Sequence, residues 1–556
     1  MTTAPSVIRA TLIAALEELN ALEKFYLQNV VDDDYTFSRA LSNFTANSTT
    51  SGTVIDAGDS AWMLASSALV IVMTIPGVAL FYGGLVPGAR NFVATAMQTL
   101  SITCLISALW LIVGYSLAFA PVDLLVSGPP FFGDFSRAWL LGMNQESVHQ
   151  LASTIPESVY CMFQLTFAII TPALICGSFV ERMKFSSLLI FIGLWHVFVY
   201  CPVAHANWHP NGFLFKLGVL DFAGGNVVHI ASGMSAFVAS MVVGKGFGSL
   251  QMNPHNLVLT LMGTGFLWIG WFGFNAGSAG SASTRAGMAM LATQIATGVA
   301  GLSGMLTSWF VRGKPSLLQM CSGAVSGLVA ITPAAGYVNP FGAFIIGVLS
   351  GPVCYLGTLI KYGVGVDDSL DAFGIHAIGG ALGGLLTGCF ADVNICGVEG
   401  AFYGNPRQLI TQLQGILFTF GWTSVMTFLI LVAIDYTIGL RVRIRYNNVG
   451  VSSHGGNKRT NPPFLSSHHG QSSKKNLFTL SSTAPKDHDF QPPEIEGDCN
   501  ICEVTAEEEY KSKDVGSLFT RKIETTSSIA ERDSAHARER SDMYVFRKED
   551  YDPVQE

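Results

Sequence analysis

Charged residues are scarce in this chain of 556 residues. They make up 13% of the sequence, whereas about a quarter is typical of a soluble domain. The sequence also lacks a phosphate-binding glycine loop, a cluster of metal ligands and a nucleophile with its base on a soluble domain. These absences argue against an ordinary soluble enzyme. They also give no reason to expect a cofactor, a metal ion or a nucleic-acid partner.

Long apolar runs are abundant instead. Each run has about 20 residues, enough to cross the hydrocarbon core of a bilayer as a helix. Many small residues accompany them, which suits close contact between helices in lipid. The pattern predicts an all-α polytopic membrane protein with eleven membrane-spanning helices. The predicted spans cover residues 60–83, 92–119, 156–180, 186–204, 222–243, 256–277, 287–311, 316–336, 341–361, 372–391 and 409–437.

Positive charge is unequal on the two sides of these spans. The richer loops hold Arg90, Arg182, Lys184, Lys245, Arg312, Lys314, Lys361, Arg441, Arg443 and Arg445. The opposite loops hold Arg137, Lys216, Arg285 and Arg407. Because Lys and Arg favour the cytoplasmic side, and eleven crossings separate the termini, we expect an extracellular N terminus and a cytoplasmic C terminus.

The two ends of the chain differ from its middle. Residues 1–57 are predicted to be extracellular, and Asn43 and Asn47 there begin N-glycosylation sequons. Residues 58–445 form the predicted membrane domain. Residues 446–556 are rich in Ser, Lys, Glu and Asp and poor in apolar runs, so they cannot bury a core. We interpret them as a disordered cytoplasmic regulatory tail, where a kinase or a regulatory partner would act.

Cys389 and Cys396 flank the predicted outer end of the tenth span. Two alternatives stay open for them at this point. They form a disulfide, or they are small apolar residues with free thiols, as the cysteines inside the spans are.

Two histidines lie inside apolar runs, each a few residues after an acid. His229 follows Asp221 in the fifth span, and His376 follows Asp371 in the tenth. Ionisable groups at membrane depth are costly and usually functional. Five spans in each half make the halves inverted repeats, with a last helix added, and such repeats often enclose a midplane site. The pair therefore predicts a path for a small molecule, although a single histidine would more simply satisfy a backbone carbonyl.

The residues around these histidines also predict local roles. Gly233, Gly379 and Gly380 follow the histidines, and they would let the fifth and tenth helices approach closely. A carboxylate at a helix start can accept bonds from free N–H groups and favours the positive helix end. We assign this structural and electrostatic role to Asp221, and the same role to Asp371.

Residues from about Ser60 to Arg445 resemble ammonium transporters of the Amt/Mep type. Five motifs carry the resemblance: Pro76-Gly-Val-Ala-Leu-Phe-Tyr-Gly-Gly-Leu-Val, Phe163-Gln-Leu-Thr-Phe-Ala, Asp221-Phe-Ala-Gly-Gly, Trp268-Ile-Gly-Trp-Phe-Gly-Phe-Asn-Ala-Gly-Ser and the block from Asp371 to His376. The resemblance implies a homotrimer of eleven-helix subunits, each with its own pore. The family's docking element after the last span is degraded here, which puts coupling of subunits through the tail in doubt.

The resemblance also implies roles for particular side chains. Phe163, Trp208 and Ser278 would form an outer ammonium site, where aromatic faces attract the cation and a hydroxyl accepts its hydrogen bond. Phe167 and Phe274 would form a gate below it. Without the resemblance, Trp208 would be an interfacial anchor and the phenylalanines ordinary core residues.

His229 and His376 would then face the lumen. Because desolvation disfavours a charged amine and imidazole can pass a proton, we expect NH4+ to lose its proton and cross as NH3. Methylammonium is a candidate second substrate. The leading hypothesis is an electrogenic ammonium transporter of the plasma membrane. The alternatives are an electroneutral NH3 channel and an ammonium sensor that signals through its tail.

Overall fold

The computed structural model describes residues 55–86, 89–120, 131–180, 182–246 and 254–442. The predicted glycosylation sites Asn43 and Asn47, and the predicted disordered tail, lie outside the described residues. Within the described ranges the chain is almost entirely helical. A short antiparallel pair of strands, β1 (Val148–His149) and β2 (Ala152–Pro156), precedes the third long helix.

Eleven helical segments follow one another in the predicted places. They are α1 (Ala57–Leu85), α2 (Phe92–Phe119), α3 (Glu157–Ser178), α4 (Phe185–Leu217, with a turn after Trp208), α5 (Gly225–Val243), α6 (Leu257–Gly277), α7 (Thr284–Arg312), α8 (Leu317–Ile331), α9 (Pro340–Val364), α10 (Phe373–Phe390) and α11 (Arg407–Thr437). Among the described residues, ten of these helices are long and apolar enough to cross a membrane. The prediction of a polytopic all-α protein is therefore confirmed.

The eighth segment is shorter than predicted. Helix α8 has 15 residues and ends at Ile331, whereas the apolar run continues to residue 336. At a rise of about 1.5 Å per residue it is about 22 Å long, which is less than the hydrocarbon core. The reason is local, because Pro333 has no N–H to continue the helix and the chain then turns, with Tyr337 N–H donating to Ala334 O.

Five helices contain a widened π-helical turn. In the described part of the chain these turns are Met73–Val78, Trp110–Gly114, His196–Tyr200, Gly225–Ile230 and Phe373–Ala377. The last two contain His229 and His376, so each histidine lies in a π-helical turn at the start of its helix. Such turns are rare and often mark functional positions.

Small residues bring α5 and α10 together, although not all of the predicted ones do so. A methyl group at Gly233 would overlap the backbone of Ala377, and one at Gly380 would lie 3.0 Å from His229 Cβ. Gly379 instead faces Val329 and Cys354. The two histidine-bearing helices thus touch along a glycine-lined seam, whereas Gly379 serves the packing of α10 on other helices.

Basic side chains gather at one end of the helix bundle. Arg182 Nη1 lies 3.2 Å from Asp367 Oδ2, and Lys184 Nζ donates to Ile438 O at 2.7 Å. The backbones of Arg441 and Met183 form an isolated antiparallel β-bridge. The loop after α3, the loop before α10 and the chain after α11 therefore meet at one end, the predicted cytoplasmic side.

At the other end, Cys389 and Cys396 both carry free thiols.

Candidate functional site

Four aromatic side chains pack together near the predicted outer end. The ring centroids of Phe163 and Phe167 are 5.0 Å apart, and those of Phe167 and Trp208 are 5.7 Å apart at 86°. Phe167 also stacks on Phe274 with a centroid distance of 4.1 Å and an interplanar angle of 26°. The structure thus places the two phenylalanines of the predicted gate face to face, directly below the predicted outer aromatic residues.

Two contacts fix the orientation of Trp208. Its indole N–H donates to Asp221 O at 2.9 Å, and its ring stacks on Phe119 at 6.4 Å and 15°. Trp208 is only partly buried, whereas Phe163 is 2% exposed. The indole ring therefore has a fixed orientation and a partly accessible surface, whereas an interfacial anchor would rotate freely.

Ser278 lies immediately after α6 and beside the same cluster. Its hydroxyl donates to Phe274 O at 2.8 Å, so its lone pairs are available to accept a hydrogen bond. A methyl group at the preceding Gly277 would lie 2.7 Å from the Phe163 ring, which shows how closely that ring approaches the end of α6. Within the described residues, no hydrogen bond joins Ser278 directly to Trp208.

The two histidines meet below the stacked phenylalanines. Their Nδ1 atoms are 3.3 Å apart, and their ring centroids are 5.4 Å apart at 17°. His229 also lies 6.2 Å from Phe274, and both histidines are buried. A continuous line of rings therefore runs from Trp208 through Phe167 and Phe274 to His229 and His376.

Two residues that sequence reasoning missed hold His229 from the other side. Trp271 stacks on its ring at 5.4 Å and 17°, and Trp271 Nε1 donates to Thr332 Oγ1 at 2.9 Å. Thr332 Oγ1 is also 3.3 Å from His229 Nε2. Trp271 lies within one of the quoted motifs, but nothing in the sequence connects Thr332 with a histidine more than a hundred residues away.

The Asp221 carboxylate caps the N-terminal end of α5. Its Oδ1 accepts from the N–H groups of Gly224 at 2.9 Å and Gly225 at 2.5 Å. Its Oδ2 accepts from Asn226 at 2.9 Å and Val227 at 3.3 Å. Burial raises the pKa of this carboxyl above its ordinary value, while the four N–H donors lower it. Asp221 thus supplies partners for four backbone donors that the helix leaves free.

The corresponding cap of α10 is not Asp371, which corrects the capping position expected from the sequence, while the structural and electrostatic role of Asp371 stays a prediction. Asp368 caps this helix instead, accepting from Ala372 N–H at 3.2 Å and Phe373 N–H at 2.8 Å. Asp371 has a left-handed backbone with a φ of 59°, which turns the chain into the helix. The spacing was the missed signal, because Asp368 precedes His376 by as many residues as Asp221 precedes His229.

Asp371 forms an ion pair rather than a cap. Its Oδ1 lies 2.6 Å from Lys361 Nζ, which also donates to Asp368 O at 3.0 Å. Burial, and then the neighbouring Asp371, raise the pKa of the Asp368 carboxyl to about 6. Asp371 also borders a polar cleft with Ser322 and Ser326. The second half therefore has a compact charged cluster where the first half has a simple cap.

These features define a class of protein. A polytopic helical bundle with histidines buried at membrane depth beside a line of aromatic rings has the construction of a membrane transport protein.

Comparison with known proteins gives the family. The model of the Ammonium Transporter Family matches residues 61–458. The chain is 44% identical over 403 residues to an ammonium transporter of Aquifex aeolicus, covering 72% of this chain and 93% of that protein. It is 39% identical over 402 residues to ammonium transporter 1 of Schizosaccharomyces pombe, covering 70% and 78%. The crystal structure of Candida albicans Mep2 matches with a TM-score of 0.65 and 35% identity, covering 70% and 87%. The chain therefore belongs to the ammonium transporter family.

Proposed function

We propose that this ammonium transporter first binds NH4+ at an outer site made by Phe163, Trp208 and Ser278. A desolvated cation over an aromatic face gains from about 0.5 to about 2 kcal/mol. The held indole of Trp208 offers such a face, and the Ser278 hydroxyl keeps its lone pairs because its hydrogen is bonded to Phe274 O. These contacts favour a small cation that donates hydrogen bonds.

The stacked Phe167 and Phe274 then form a gate that a hydrated ion does not pass. Carrying an intact cation through an apolar pore costs several kcal/mol, and desolvation favours loss of a proton from an amine. Ammonium therefore gives up its proton near the gate and crosses as NH3. The support for this step is the close stacking of the two rings directly above His229.

His229 and His376 receive and pass the released proton. The observation that carries this proposal is the buried contact of 3.3 Å between their Nδ1 atoms. Two imidazoles in hydrogen-bond contact form a relay in a region where water is costly to admit. If the proton follows NH3 across, transport is electrogenic; if it returns outside, the protein is an electroneutral channel.

The cellular setting follows from the distribution of charged and apolar surfaces. We propose a multi-pass plasma membrane protein with an extracellular N terminus and a cytoplasmic C terminus, because Arg182, Lys184 and Arg441 gather at one end. Large apolar side chains on the helix exteriors, such as Phe310 at 87% exposure, suit lipid or neighbouring subunits of a homotrimer. Residues 446–556 are proposed to bind a regulatory partner or kinase.

The proposed function predicts an ammonium-evoked current that depends on the histidine pair. Under voltage clamp, the wild type should give a saturable inward current, and the variant carrying His229→Ala and His376→Ala should give none. The reason is that the variant has no titratable relay at the inner end of the line of rings. Uptake of labelled methylammonium is measured on the same cells.

A buried histidine away from this line provides the control. His196 is fully buried in α4, and its ring contacts the rings of Trp110 and Tyr200 rather than those of the pore histidines. His196→Ala should keep the current at equal surface expression. Uptake without current in the wild type would instead identify an electroneutral channel, and absence of both would overturn the transport mechanism proposed here.

A further inference from the structure

We propose that Thr332 is a positioning residue that fixes which ring nitrogens of His229 and His376 carry hydrogen. This inference deepens the proposed function and rests on its proton route. Thr332 follows the short helix α8 and is fully buried. Its hydroxyl oxygen meets three polar groups, and counting donors and acceptors there leaves one arrangement of protons in the histidine pair.

The hydroxyl hydrogen of Thr332 is already committed. Oγ1 lies 2.7 Å from Leu328 O, a carbonyl that can only accept. In a continued helix the backbone N–H of Thr332 would bond to that carbonyl, but here it donates to Val329 O at 3.2 Å. The hydroxyl hydrogen takes its place at Leu328 O. Toward its other neighbours Thr332 Oγ1 is therefore an acceptor.

Both remaining neighbours must then donate to Thr332. An indole N–H is a donor only, and Trp271 Nε1 lies 2.9 Å from Oγ1. His229 Nε2 lies 3.3 Å from the same oxygen. The hydroxyl has no second hydrogen to donate to it. This contact is a hydrogen bond only if His229 Nε2 carries the hydrogen. A neutral His229 then has an unprotonated Nδ1.

The second histidine follows from the first. Because His229 Nδ1 is an acceptor, the contact of 3.3 Å requires His376 Nδ1 to be the donor. A neutral His376 consequently has its lone pair on Nε2, and within the described part of the chain no hydrogen bond reaches that atom. The pair is thus polarised, and His376 Nε2 is its single basic nitrogen without a partner.

This polarity separates the roles of two residues that look equivalent in the sequence. A proton released from NH4+ binds to His376 Nε2, leaving NH3 and an imidazolium, which then passes its Nδ1 hydrogen to His229 Nδ1. His229 cannot take it first, since both of its nitrogens are engaged by Thr332 and His376. Trp271, stacked on His229, keeps the ring in the plane that these two bonds need.

The arrangement is measured directly by nitrogen-15 solid-state NMR of the full-length protein in lipid bilayers with labelled histidine. The signals are assigned by difference with His229→Gln and His376→Gln. We expect hydrogen on Nε2 of His229 and on Nδ1 of His376. The reverse arrangement, or an equal mixture of both, would overturn the proposal.

Variants of Thr332 test the cause. Thr332→Val keeps the shape but removes the acceptor, so the ratio of the two arrangements should shift about fivefold toward the reverse, as expected for one hydrogen bond of about 1 kcal/mol. Thr332→Ser should restore the wild-type ratio. Thr297→Val is the matched control, because Thr297 is also fully buried and its hydroxyl donates to Thr293 O at 2.6 Å. An unchanged ratio in Thr332→Val would sink the assignment.

Transport measurements keep this inference separate from the proposed function. The charge carried per methylammonium should fall in Thr332→Val and recover in Thr332→Ser. If the wild type shows the expected proton arrangement but no current, the proton route fails while the positioning role stands. If current is present and the arrangement is reversed, the positioning role fails alone.

Discussion

The two halves of this transporter give their histidines the same backbone setting but different charges. In each half a carboxylate precedes the histidine by the same spacing, accepts N–H bonds at the helix start and leads into a π-helical turn. In the first half Asp221 accepts four N–H groups. In the second half Asp368 accepts two, and an ion pair between Lys361 and Asp371 lies beside it.

The difference shows which part of the repeat is geometric and which is electrostatic. The cap and the π turn aim each histidine toward the other, so they occur in both halves. The ion pair occurs only at the second histidine in the described chain, at the end where basic loops gather. The helix start nearer the proposed entrance therefore has a capping carboxylate alone, and the one nearer the proposed exit has a capping carboxylate with an ion pair beside it.

Removing the two capping carboxylates should give the largest difference in stability between the halves. A buried N–H without a partner costs about 1–3 kcal/mol, so Asp221→Ala, with four donors stranded, should lose at least about 4 kcal/mol of stability. Asp368→Ala strands two and should lose about half as much. Thermal unfolding in detergent, together with surface expression, measures both.

A surface cap provides the control for these variants. Asp56 accepts from Asp59 N–H at 2.8 Å at the start of α1 and is exposed. Asp56→Ala should cost only about 1 kcal/mol, as caps in water do. An equal loss in Asp221→Ala and Asp368→Ala would show that the number of capped donors does not set the stability of the two halves.

The ion pair is what the second half alone possesses, and Lys361→Met removes it. Breaking a fully buried pair costs about 3–5 kcal/mol. Because the stranded Asp371 side chain is 20% exposed, this variant should lose less than that, and it should still unfold at a lower temperature. Adding Asp371→Asn should recover most of the loss, because the stranded charge is then gone and Asn tolerates the left-handed backbone. A single variant as stable as the wild type would show that Asp371 finds water instead.

Much of this architecture is predictable because it depends on local pattern. Apolar runs give the number and order of the helices, and the two histidines stand out against them. The cap of α10 was expected at the wrong acid, since the proximity of Asp371 to His376 suggested a cap there. The left-handed backbone of Asp371 turns the side chain to Lys361, and the cap falls to Asp368. Comparing the acid-to-histidine spacing in the two halves would have avoided this error.

Other features of the site depend on contacts that no local pattern encodes. Thr332 reaches His229 only because α8 stops before Pro333 and the chain turns beside α5. A sequence shows an apolar run there, and nothing in it marks one threonine among many as a partner of a pore histidine. The same holds for the stacking of Trp271 on His229, two residues that lie on different helices and far apart in the chain.

The smallest effect that we predict is a difference in pH dependence between the halves. The pKa of Asp368 is raised from 3.8 to about 6, so the folded state binds this proton more tightly than the unfolded state does. The resulting stability is present at low pH and is lost as pH rises through about 6, amounting to no more than about 3 kcal/mol. The wild-type unfolding temperature in detergent should therefore fall between about pH 4 and pH 6, and Asp368→Asn should flatten this fall, whereas the exposed Asp56→Asn should not. An Asp368→Asn curve with the wild-type slope would mean that another carboxyl, such as Asp221, whose pKa burial also raises, is responsible for the pH dependence.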